Sequence, residues 1–270
     1  MRCHSSSYAQ PTLVYINNLN NINITKLHFK NAPKVFHSVT GGSSNVVYDT
    51  LTLDATPENV RSNSEEHRQI RQPQYVTIKN IKVTNQDDCM MFKPGVDYMT
   101  ITNITCTGSH GILVGSLGGG AGSTNTVTNV YVTKATMVNS TKAVGIKLYQ
   151  GGSSHGIVTI RNMTFNGVMV QGREYAAQIQ SCYGSALTMD CNSTSINTVN
   201  AVYFILNLGA TSTEYDPVIA DLDFPAAGMY NIYLSNFNIK CPTGKVDVLC
   251  SNVDGNMGLL VQHQDKVCGK

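Results

Sequence analysis

Apolar residues recur along the chain in one arrangement, at positions x, x+2, x+5 and x+7. Ile22, Ile24, Leu27 and Phe29 form the first copy, and Val46, Tyr48, Leu51 and Leu53 the second. Val76, Ile78, Ile81 and Val83 follow, then Met99, Ile101, Ile104 and Cys106. Val130, Val132, Ala135 and Met137 make a fifth copy, Val158, Ile160, Met163 and Phe165 a sixth, and Ile232, Leu234, Phe237 and Ile239 a late one. The first six start 24, 30, 23, 31 and 28 residues apart. A step of two is the period of a strand with one face inward. The odd step from x+2 to x+5 breaks that alternation, and a turn there lets the next short strand face inward again. Polar residues stand at the break, among them Asn80, Asn103, Asn162 and Asn236. Asparagine tolerates left-handed backbone and caps turns with its side chain. A unit this short cannot bury its own apolar face, whereas stacked copies share a continuous core. The pattern predicts an all-β solenoid in one domain over residues 1–270. The competing architecture is an antiparallel sandwich, which signals turns roughly every 8–12 residues but has no long-period repeat.

Composition agrees with strands and turns. Asn, Thr, Ser, Val, Ile and 23 Gly dominate, and only 13% of residues are charged. So few charges exclude a coiled coil, and 41% hydrophobic residues exclude a disordered chain. No run approaches the about 20 apolar residues of a membrane span. A net charge of +2 is too mild for a dedicated nucleic-acid binder and is compatible with an acidic substrate. Eight cysteines without a CxxC pattern, together with sequons at Asn23, Asn103, Asn139, Asn162 and Asn192, predict a secreted protein with disulfides. The start, Met1-Arg2-Cys3-His4-Ser5, has no apolar leader core, so the expectation is a fragment or a late-starting gene model.

The densest polar constellation is Asn85-Gln86-Asp87-Asp88-Cys89, directly after the strand at Val76–Val83. Cys106-Thr107-Gly108-Ser109-His110-Gly111 comes one coil later, and Gly145-Ile146-Lys147-Leu148-Tyr149 later still. In a solenoid the ends of successive strands stack, which would bring Asp87, Asp88, His110 and Lys147 to one face. Two acids, a histidine and a lysine in one groove suit acid/base work on an acidic sugar polymer. Taken singly, an Asp pair in a turn is usually solvated, a His beside Gly is usually a turn residue, and Tyr183 would be core packing.

Gln86-Asp87-Asp88 followed by Ser109-His110-Gly111 resembles glycoside hydrolase family 28, the polygalacturonases. The resemblance extends from Pro11-Thr12-Leu13-Val14 and Asn31-Ala32-Pro33 to Cys250-Ser251-Asn252-Val253-Asp254. It implies a right-handed parallel β-helix and inverting hydrolysis of α-1,4-galacturonosyl linkages in homogalacturonan. It implies a monomer, with no cofactor, no metal, and no nucleic-acid or membrane partner. Asp87 takes the general-acid position, and a neighbouring carboxylate is expected to raise its pKa. Asp88 takes a water-activating position, with acid and base roughly 6.5–9.5 Å apart to admit the water. His110 would orient or tune the acid, Lys147 would pair with the substrate carboxylate, and Tyr183 would line the sugar site. Lys93-Pro94, Ser109 and the carboxyl end lean towards exo-acting members, and the resemblance implies a family that extends further at the amino end. The family joins the positions of Cys89 and Cys106; Cys182–Cys191 and Cys241–Cys250 are plausible local pairs, with Cys3 and Cys268 left over.

Two departures stand out. Gly145 replaces the arginine of the family's Arg-Ile-Lys, removing a bidentate fork for a carboxylate. Where the family has Asn-Thr-Asp-Gly-Phe-Asp, this chain reads Ser64-Glu65-Glu66-His67-Arg68-Gln69, with Glu66 on the third catalytic aspartate. Glu keeps the charge but moves it by a methylene, and a misplacement near 1 Å can cost about a hundredfold in rate. One choice of codons for Glu65–Arg71, read one base later, gives Lys-Asn-Thr-Asp-Arg-Phe-Asp, so a frame error over residues 56–73 stands beside simple divergence. The alternative functions are a pectin-binding homologue disabled at Glu66, a calcium-dependent pectate lyase with an arginine base, and a purely structural β-helix.

Overall fold

The computed structural model describes residues 11–32, 35–55, 68–70, 73–172, 174–184, 197–224 and 228–251. Every regular element among them is a strand. In chain order these are β1 (Thr12–Asn17), β2 (Asn20–Lys30), β3 (Val35–Thr40), β4 (Ser44–Asp54), β5 (Arg68–Ile70) and β6 (Gln74–Thr84). Then come β7 (Asp88–Phe92), β8 (Asp97–Thr107), β9 (Gly111–Leu117), β10 (Thr124–Val138), β11 (Lys142–Leu148), β12 (Ile157–Gln171) and β13 (Tyr175–Gln180). The last are β14 (Asn197–Ile205), β15 (Leu208–Ala210), β16 (Val218–Asp223), β17 (Gly228–Ser235), β18 (Asn238–Lys240) and β19 (Asp247–Ser251).

Strands pair with the next coil rather than with their chain neighbours. One sheet runs β1-β3-β5-β7-β9-β11-β13-β16-β19, and the other β17-β14-β12-β10-β8-β6-β4-β2 with β15 and β18 beside it. Neighbours are parallel, as in the pairing of β6 with β8 and of β7 with β9. The chain is a parallel β-helix, all-β as the repeat predicts.

Corners are set by left-handed residues. Asn21, Asn45, Tyr75, Tyr98, Asn129, Asn162 and Ala201 have positive φ, and so do Lys26, Thr50, Asn80, Asn103, Lys134, Gly167 and Leu206, each five residues further on. The register stacks each set into a column. Each long strand is thereby folded into short arms, and a coil presents three inward walls: two arms and the nine-stranded sheet. Side-chain amides tie the columns together. Asn103 Nδ2 donates to Asn80 Oδ1 at 2.8 Å, and Asn80 Nδ2 donates to Asp49 Oδ1 at 2.8 Å. In the other column Asn162 Nδ2 donates to Asn129 Oδ1 at 3.0 Å.

The repeat residues form the core. Val46, Tyr48, Ile78, Ile101, Val132 and Phe165 are fully buried, and the Phe165 and Phe204 rings stack at 5.4 Å from adjacent coils. The sixth copy sits elsewhere than the pattern suggests. Met163, Phe165, Val168 and Val170 lie level with Val130, Val132, Ala135 and Met137. Strand β12 has two corners, Asn162 and Gly167, and the apolar spacing fits around either. A further coil at Val202 and Phe204 has buried Asn207 where the pattern wants an apolar residue; its Oδ1 accepts the Val168 N–H at 3.3 Å.

Candidate active site

The acid pair is held by the turn between β6 and β7. Asn85 is buried, and its Nδ2 donates to the carbonyls of Asp87 (2.8 Å) and Asp88 (3.2 Å). The Asp88 N–H donates to Asp87 Oδ1 at 2.7 Å, folding the two acids into one tight bend. One coil on, the His110 N–H donates to the Asp87 carbonyl at 2.8 Å, which fixes the imidazole above the pair. Gly111 must follow: its φ is +123°, and a Cβ there would lie 2.3 Å from the Lys142 carbonyl.

The four groups expected to share a face do so. His110 Nδ1 lies 3.3 Å from Asp87 Oδ1 and 3.9 Å from Asp88 Oδ1. Lys147 projects from β11, and its Nζ donates to Asp88 Oδ1 at 3.1 Å and Oδ2 at 3.2 Å. Tyr183 follows β13, anchored by its N–H to the Leu148 carbonyl, with Lys147 Nζ 5.3 Å from its ring centre. The Lys147 charge therefore meets Asp88 rather than open solvent. An ammonium has three protons, so one stays available to a ligand.

The electrostatics differ from expectation. Burial pushes the Asp88 carboxyl up and the charge of Asp87 adds to it, against the pull of Lys147; the net shift is upward. Burial would also raise Asp87, but the His110 bond, the Asp88 N–H and the charges of His110 and Lys147 outweigh it and hold Asp87 down. The raised acid is thus Asp88, because it is the deeper one: its side chain is 2% exposed against 14% for Asp87. The bend also draws the two carboxylates together: an oxygen of each lies within 4.8 Å of the other.

Asp87, Asp88 and His110 have the spacing of a metal-ligand trio. The Lys147 ammonium already supplies positive charge to Asp88, beside two carboxyls and an imidazole that can carry acid/base chemistry.

The same face holds more than the motifs named. Gln178 Nε2 donates to Asp221 Oδ2 at 3.1 Å, Ser181 Oγ donates to Asp223 Oδ2 at 3.1 Å, and Lys142 Nζ donates to Gln180 Oε1 at 3.3 Å. No motif flags these residues; only the stacking of β11, β13 and β16 brings them together. A groove on the other sheet, lined by Tyr75, Tyr98 and Tyr131, holds no carboxylate, histidine or lysine.

Glu66 lies outside the described residues, and the β5 backbone sets Gln69 beside Met91. Cys89 and Cys106 form the expected disulfide. Cys182 is disulfide-bonded, while Cys191, Cys3 and Cys268 lie outside the described residues. The expected Cys241–Cys250 bridge is absent: Cys241 is a free, buried thiol whose Sγ donates to the Pro217 carbonyl at 3.2 Å. Its strand neighbour β18 belongs to one sheet and Cys250 to the other. The sequon asparagines Asn23, Asn103, Asn139 and Asn162 are exposed, and Asn192 lies outside the described residues. In Asn103 and Asn162 the amide nitrogen that would carry a glycan already serves the corner ladders.

Comparison with known proteins gives the geometry a lineage. The endo-xylogalacturonan hydrolase A of Aspergillus tubingensis is 46% identical over 260 residues, covering 94% of this chain and 62% of that protein. The crystal structure of the A. tubingensis enzyme superposes with a TM-score of 0.89 at 45% identity, over 94% of this chain and 68% of that one. Endopolygalacturonase I from Stereum purpureum shares the fold, with a TM-score of 0.63 at 18% identity over 90% of this chain and 72% of that one. The chain spans about 62% of the length of the curated relatives it matches. The family model for glycosyl hydrolases family 28 matches residues 1–263, and the chain belongs to that family.

Proposed function

We propose that this chain hydrolyses the galacturonan backbone of pectic polysaccharide, cleaving within the polymer, with xylose-substituted galacturonan as its preferred form. The observation that carries this is the meeting of Asp87, Asp88, His110 and Lys147 on one face of the nine-stranded sheet. The relatives named above support internal cleavage and the substituted polymer, and replace the exo leaning of the sequence. The Cys89–Cys106 bridge supports an extracellular setting.

The acid pair supplies both halves of the chemistry. Before substrate arrives, buried Asp88 is the member of the pair that holds a proton more readily. A uronate arriving beside Asp87 adds a like charge, which raises Asp87 and draws the proton to the more open member. Asp87 then gives its proton to the departing oxygen as the glycosidic bond breaks, while water oriented by Asp88 adds to the anomeric carbon and yields its proton to the Asp88 carboxylate, which Lys147 holds. Inversion at the anomeric carbon is the outcome expected from the family resemblance, with Glu66 as the third carboxylate.

The purified chain, given xylogalacturonan and polygalacturonate, should lower viscosity well before reducing ends accumulate. Asp87→Asn and Asp88→Asn should each lower kcat by about 10²–10⁴-fold. Proton NMR of the first product should show the β-anomer, and Glu66→Asp should raise kcat. A folded chain that binds these polymers but never cleaves them would instead be the disabled binding protein.

A further inference from the structure

The face that holds the acid pair carries a second cation beside Lys147, and its position depends on a missing side chain. On the outward face of the nine-stranded sheet the register sets Gly145 between Leu113 and Gln178, and Lys147 beside Gln180. Lys142 lies three residues before Gly145 on the same strand. Its Cδ sits 3.4 Å from where a Gly145 Cβ would be, and its Nζ reaches Gln180 Oε1 at 3.3 Å. The Lys142 stem thus lies across the gap left by Gly145, and its head ends level with Lys147, one strand away. Neighbouring strands are about 4.8 Å apart, so the two ammonium groups flank the same stretch of cleft.

The two lysines differ in how their charge is met. Lys147 bonds both oxygens of Asp88. Lys142 makes no ion pair among the described residues, and its hydrogen bond goes to a neutral amide. Burial, with the nearby Lys147 charge, lowers its pKa to about 8, opposed by the charges of Asp88, Glu174 and Asp221, so it is charged in mildly acidic solution.

We propose that Lys142 is a substrate-binding residue, whose ammonium receives the carboxylate of the galacturonate on the β13 side of the Asp87–Asp88 pair. This rests on the polyuronide reading above and names a residue for it. A rotatable ammonium on a long stem here takes the part that a fixed guanidinium at position 145 would otherwise fill.

The test is calorimetric binding of trigalacturonate to the full chain carrying Asp87→Asn, which blocks turnover. Adding Lys142→Met, which keeps the stem over Gly145, should weaken binding about 10- to 100-fold. Adding Lys142→Arg should restore it to within about threefold of the parent. With the methyl-esterified trimer the difference between Lys142 and Lys142→Met should vanish. Tight trigalacturonate binding by a folded Lys142→Met chain overturns the proposal and leaves the polyuronide reading intact. A parent that binds neither trigalacturonate nor a xylosylated oligogalacturonate overturns both.

Discussion

At the scale of single residues, the site turns on how deeply each charge is buried. Asp88 and Lys147 are both nearly inaccessible and hold each other in place. Removing one partner of such a pair leaves the other charge stranded, at a cost of about 3–5 kcal/mol. Lys147→Met should therefore melt well below the parent at neutral pH. The sign with pH follows from Asp88. Its folded pKa is already raised, and losing Lys147 removes a lowering influence and raises it further. A raised carboxyl pKa gives stability below the unfolded value near 4 that is lost as pH rises through the folded pKa. The deficit of Lys147→Met should be large at pH 7 and shrink towards pH 3.5 in urea melts; a deficit independent of pH would mean that Asp88 is not the stranded group. The motifs made the identities of these residues readable. The pairing was not, because sequence spacing shows which groups share a face but not that Lys147 spends its charge on Asp88.

At the scale of elements, the short strands and their corners were legible and their phase was not. Asn80, Asn103, Asn162 and Asn236 occupy left-handed corners as their chemistry suggests. Tyr75, Tyr98, Thr50 and Leu206 adopt the same backbone with no such preference, so stacking in register overrides residue type there. The sixth copy slipped to Val158 because β12 offers two equivalent corners, and the Val202 coil was hidden by Asn207, whose amide supplies a backbone bond instead of an apolar contact. The Cys89–Cys106 bridge ties β7 to β8 behind the acid pair and closes a loop of 17 residues. Replacing both cysteines by alanine should lower stability by about 2–4 kcal/mol through the unfolded chain. Circular dichroism in a urea series measures this, and an unchanged midpoint would show that the coil stack alone fixes the loop.

At the scale of the whole molecule, each coil leans on its two neighbours, so stability is built from nearest-neighbour terms. Asp88 and Lys147 lie on β7 and β11, and Asp87 and His110 directly precede β7 and β9, in the middle of the nine-stranded sheet, while β1 and β19 are its outermost strands among the described residues. Hydrogen exchange should be slowest in β7, β9 and β11 and fastest in β1 and β19. Equal protection along the sheet would mean that the stack opens as a single cooperative unit. A centre that opens rarely keeps side chains from three separate coils aligned with one another.

The two corner columns stay five residues apart in coil after coil, yet one turn of the helix takes only 23 residues from Val76 to Met99 and another takes 39 from Met163 to Val202. All of that difference falls in the connecting segments, outside the five-residue hinge. The scaffold therefore works like a spine of fixed vertebrae carrying ribs of adjustable length. Connecting segments can be lengthened or trimmed from coil to coil while the hinge that aligns the coils is left untouched.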